Sequence, residues 1–67
     1  MNAKKETIQQ LEQLIDKHSL GAIVEMLTEI CHEKAEHISL NWQDSITART
    51  WRQDANSLEK TLFKLNN

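Results

Sequence analysis

The run Leu20–Ile38, LGAIVEMLTEICHEKAEHI, decides how this chain reads. At about 100° per residue of helix, Leu20, Val24, Leu27, Cys31, Ala35 and Ile38 fall on one stripe. Ile23, Met26 and Ile30 widen that stripe on one side. The apolar arc then covers roughly half the circumference, more than the ~100° that faces a single core. Glu25, Glu29, Glu33 and Glu36 occupy the opposite face, with His32 beside them. Such a helix needs two apolar neighbours. Both can lie in its own chain, or one can come from a partner.

Outward from this run the chain stays helical. It has no proline, one glycine and one valine, and it is rich in Glu, Lys, Gln, Leu and Ala. Helix 1 is expected at about 5–18, where Ile8, Leu11, Leu14, Ile15 and His18 share a face. It is too short to be stable alone in water and must lean on the others. His18-Ser19-Leu20-Gly21 breaks it from helix 2 at about 20–38, with Ser19 as N-cap. One bent helix through this break is the alternative. Ser39 and Asn41 compete to cap helix 3, expected at about 42–64, in which Thr47, Ala48, Trp51, Ala55, Leu58, Leu62 and Leu65 share a face. Leu40 and Trp42 miss that stripe and are expected to pack across the corner. Asn66-Asn67 reads as a frayed tail.

The expected fold is therefore all-α. It is a single domain, residues 1–67, in which helices 2 and 3 form an antiparallel hairpin and helix 1 folds across them. A 67-residue chain buries only about 60% of its unfolded surface, so its core is marginal. One cysteine allows no internal disulfide, and no paired-cysteine zinc framework is present. Self-association into a helical bundle, a homodimer, is the expected staple. No apolar run of membrane-spanning length and no signal-peptide pattern is present, which with an unpaired cysteine suggests a reducing cytoplasm.

Chemistry-bearing residues crowd Cys31–His37. His32 and His37 are five apart, so they diverge by about 140° and miss the i, i+4 spacing of a zinc-protease helix. Two i, i+4 pairs remain, His32 with Glu36 and Glu33 with His37, each half of a metal site at most. Their plainer reading is surface pairing. Cys31 falls within the apolar stripe and reads as a small core residue. Lys34 is a charge inside the apolar arc, and Asp44 on helix 3 is its expected ion-pair partner, fixing helix register.

Helix 3 carries Arg49, Arg52, Gln53 and Asn56 on its polar face, the residue types of a helix-turn-helix reader. A net charge of −2 and the acids of helix 2 oppose nucleic acid as a partner. The acidic polar face likewise opposes membrane binding.

The stretch EICHEKAEHISLNWQD, Glu29–Asp44, resembles a set of small uncharacterised bacterial proteins that share the Cys-His-Glu-Lys-Ala-Glu-His run and the Asn-Trp-Gln-Asp corner. The resemblance implies a small bacterial helical protein and no activity. With no catalytic set, no cofactor motif and little chain to build a pocket, the expected function is a non-enzymatic protein-interaction or regulatory module. Its contact candidates are Met26, Ile30, Trp42 and Phe63.

Overall fold

The computed structural model describes residues 2–66. Its helices are α1 (Ala3–His18), α2 (Leu20–His37) and α3 (Ser45–Asn66), with a π-helical turn, Ile38–Trp42, joining α2 to α3. No strand occurs among the described residues. The all-α reading holds. Asn66, read as tail, is helical, and Asn67 lies outside the described residues.

Each boundary has a local cause. Asn2 caps α1, its side-chain oxygen accepting from the Lys5 N–H at 3.1 Å. Ser19 alone separates α1 from α2. Its N–H donates to the Ile15 carbonyl at 2.7 Å, and its own carbonyl accepts from the Ile23 N–H at 3.2 Å. Its hydroxyl oxygen accepts from the Ala22 N–H at 3.2 Å. One residue thus closes one helix and opens the next, and it does so at φ 98°, ψ 156°, a region costly for any residue with a Cβ. Gly21 does not carry the turn; it is already inside α2.

At the second corner the chain widens into a π turn instead of breaking. The Asn41 side-chain amide donates back to the His37 carbonyl at 3.1 Å, so Asn41 closes α2 and does not cap helix 3. Gln43 turns left-handed, at φ 51°. Asp44 is the cap, accepting from the Thr47 N–H at 3.1 Å and the Thr47 hydroxyl at 2.7 Å. Helix 3 therefore begins at Ser45 rather than Trp42.

α2 and α3 form the antiparallel hairpin. His32 meets Glu59 and Lys34 meets Trp51, so numbers fall along α3 as they rise along α2. Val24, Thr28, Cys31 and Ala35 face Ala48 and Ala55 in the buried seam. Ala35, Ala48 and Ala55 are fully covered, at 0% exposure. Side chains this small let two backbones approach closely. Leu27, expected in the stripe, lies outside the seam. Thr28 is buried instead, its hydroxyl satisfied by the Val24 carbonyl at 2.9 Å. No large side chain is fully buried among the described residues.

α1 departs from expectation. It comes close to α2 alone and nowhere near α3, and none of its residues is buried. The Ser19 elbow directs it along a path that meets α2 and not α3. The molecule measures 38 × 37 × 14 Å. Its thinnest dimension is little more than one helix. Its radius of gyration is 14.1 Å, against about 11 Å for a compact chain of this length.

Candidate functional site

The V formed by α1 and α2 holds an apolar groove of about 200 Å³. Leu11, Leu14 and His18 line it from α1, and Ile23, Met26, Leu27 and Ile30 from α2. The wide apolar arc of α2 is thereby divided. One side seals the seam with α3; the other lines this groove. Leu11, Leu14 and Ile30 each remain 45% exposed, because α1 supplies one wall and, among the described residues, none outside α1 and α2 lines the groove. The volume falls below the ~300–1,000 Å³ typical of pockets that enclose a drug-sized ligand. Its lining fits a few apolar side chains of another polypeptide.

Exposed apolar side chains also gather along the chain at the α2–α3 corner. Leu40, Trp42 and Ile46 are 70%, 73% and 79% exposed. Leu40 and Trp42 were expected to pack across the corner; they do not. Both lie in the π turn, Ile38–Trp42, and both stand in solvent. Of the four contact candidates, Met26 and Ile30 line the groove, Trp42 stands at the corner, and Phe63 is exposed near the far end of α3. Leu11, Leu14, Leu40 and Ile46 are exposed as well. The spacing of Leu11 and Leu14 predicts internal packing, whereas Ile46 falls outside the helix 3 stripe, a signal of exposure that the sequence carries.

The expected Lys34–Asp44 ion pair does not form. Lys34 Nζ lies over the Trp51 ring, 5.5 Å from its centroid. Asp44 is committed to Thr47 at the start of α3. The Thr47 N–H, then its hydroxyl, hold the Asp44 carboxyl below the usual carboxylate range; a small desolvation opposes them and the Ile46 N–H adds to them.

The ligand types of Cys31–His37 are dispersed. His32 Nε2 reaches across the hairpin to Glu59 Oε1 at 2.7 Å rather than along α2 to Glu36. The His37 ring receives the Asn41 amide at 3.0 Å rather than pairing with Glu33. Among the described residues no three of His, Cys, Asp or Glu gather where they would hold a metal ion. Cys31 is a free thiol buried in the seam. Arg49, Arg52, Gln53 and Asn56 are exposed on α3. The helix carrying them lies alongside α2, whereas helix-turn-helix pairs cross at about 90–120°. Among the described residues, no helix is long and apolar enough to cross a membrane.

Comparison with protein families, curated proteins and solved structures finds no match to this chain.

Proposed function

We propose that this protein is a non-enzymatic interaction module of the cytoplasm, binding a second copy of itself and another protein. One observation carries the reading: two groups of apolar side chains, those of the α1–α2 groove and those of the Leu40–Trp42–Ile46 corner, stand uncovered by the chain's own packing. Exposed apolar patches rimmed by polar residues mark places where proteins meet. An exposed tryptophan with exposed aliphatic residues close to it along the chain has the composition of an interface hot spot. The bacterial setting comes from the resemblance over Glu29–Asp44 and is part of the same proposal.

The corner supplies the test. Immobilised wild-type protein and a Leu40→Ser/Trp42→Ser variant are exposed to extract of the native cell, after circular dichroism shows equal helicity. A protein retained by the first and lost by the second is the expected result. Identical retention by both would sink the reading of the corner as a contact surface.

A further inference from the structure

We infer that the α1–α2 groove is closed by α1 of a second copy of this chain, in a two-fold dimer. This rests on the reading of the protein as an interaction module and names the occupant of its groove.

The first ground is area. The chain exposes 5673 Å², where a compact monomer of its mass exposes about 4,400 Å². The excess, about 1,300 Å², is more than the ~800 Å² that each partner of a standard interface buries. Part of that exposed area lies on α1, which is amphipathic yet buries no residue, and on the α2 face beside it, where Met26, Leu27 and Ile30 stay exposed.

The second ground is complementarity. α1 presents Ile8, Leu11 and Leu14 as an exposed apolar ridge, and the groove accepts an apolar ridge. A two-fold axis repeats each contact, so two copies supply ridge and groove in equal number and satisfy both. A foreign helix would fill the groove and leave the Ile8 end of the ridge in water.

Charge chooses the helix. Lys4, Lys5 and Lys17 cancel Glu6, Glu12 and Asp16 along α1. On α2, Glu25, Glu29, Glu33 and Glu36 face only Lys34 and the histidines. Two α2 helices side by side would set two helices of net negative charge next to each other. A neutral α1 carries no such repulsion to either helix of its partner.

Sedimentation equilibrium of the wild-type protein at micromolar concentration is the first measurement. The expected mass is twice 7.8 kDa, and a monomer mass overturns the inference. The second places p-benzoylphenylalanine at Leu11 in a mixture of isotopically light and heavy chains. Illumination is expected to join a light chain to a heavy one through α1 or α2. The same probe at Leu40 is expected to give no chain–chain product. A dimer that cross-links through Leu40 and not Leu11 overturns the assignment to the groove. Leu14→Glu should weaken dimerisation by about thirtyfold or more, as for a buried interface anchor. The cross-linking result decides the matter even if that variant unfolds. None of these changes touches Trp42 or Ile46, so a monomeric result removes the dimer and leaves the corner's partner standing.

Discussion

Lys34 and Trp51 face one another across the helical hairpin, the ammonium 5.5 Å from the ring centroid. The charge that interrupts the apolar arc of α2 is therefore met by the electron-rich face of an aromatic ring and not by a carboxylate. At a partly exposed site such a contact contributes about 0.5–1 kcal/mol. Lys34→Gln should lower unfolding free energy by that amount in urea titrations, and Lys34→Arg should keep most of it. A double-mutant cycle between Lys34 and Asp44 should show no coupling. Strong coupling there would restore the ion pair.

Asp44 gives a pH dependence of definite sign. Its folded pKa lies below the ordinary carboxylate range because Thr47 donates to the charged form. A group with a depressed folded pKa contributes stability that is complete above its unfolded pKa. That contribution disappears as pH falls through the folded value. Asp44→Asn keeps an acceptor for the Thr47 N–H but has no charge to titrate. Wild type should melt higher than Asp44→Asn at neutral pH, and the gap should close in acid. A gap that is the same at both ends of the pH range would contradict this account.

Ser19 combines strain and capping in one residue. Its φ of 98° costs about 1–3 kcal/mol, while exchanging a serine N-cap for glycine costs only a few tenths. Ser19→Gly should stabilise the chain by about 1 kcal/mol. Ser19→Ala keeps the strain and loses the cap, and should destabilise it by about 1 kcal/mol. Chemical denaturation of the pair at one protein concentration separates the two effects. Equal effects from both would mean that the backbone there is relaxed.

The seam is sensitive to added volume. Ala55 is fully covered, so Ala55→Leu forces α2 and α3 apart and should cost about 1–3 kcal/mol. Trp42→Ser removes a far larger side chain from solvent and should change stability by less than about 0.5 kcal/mol. Thermal melts of both variants test the contrast. The larger loss falling at Trp42 would mean that the corner is packed.

How far sequence reaches can be judged residue by residue. The hairpin was legible because the spacing of Val24, Cys31, Ala35, Ala48 and Ala55 is a property of one helix at a time. Leu27 and Thr28 show the first limit. Hydropathy chooses leucine, but close helices have room for the smaller residue, and the Thr28 hydroxyl is satisfied within its own turn. Asp44 shows the second. A helix starting at Trp42 offers it to Lys34 as a partner, but a start at Ser45 makes it a cap. The path of α1 shows the third. Its apolar stripe says that it docks on something and cannot say on what. That direction is set by the torsions of Ser19, which a neighbouring glycine would have been expected to supply.

The joint at Ser19 has no spare length. Because α1 ends and α2 begins on the same residue, each residue added or removed beside it turns one helix about 100° against the other. A single insertion there would carry Leu11 and Leu14 off the inner wall together, with no side chain altered. The spacing between Leu14 and Ile23 is thus as much a part of the groove as the side chains that line it.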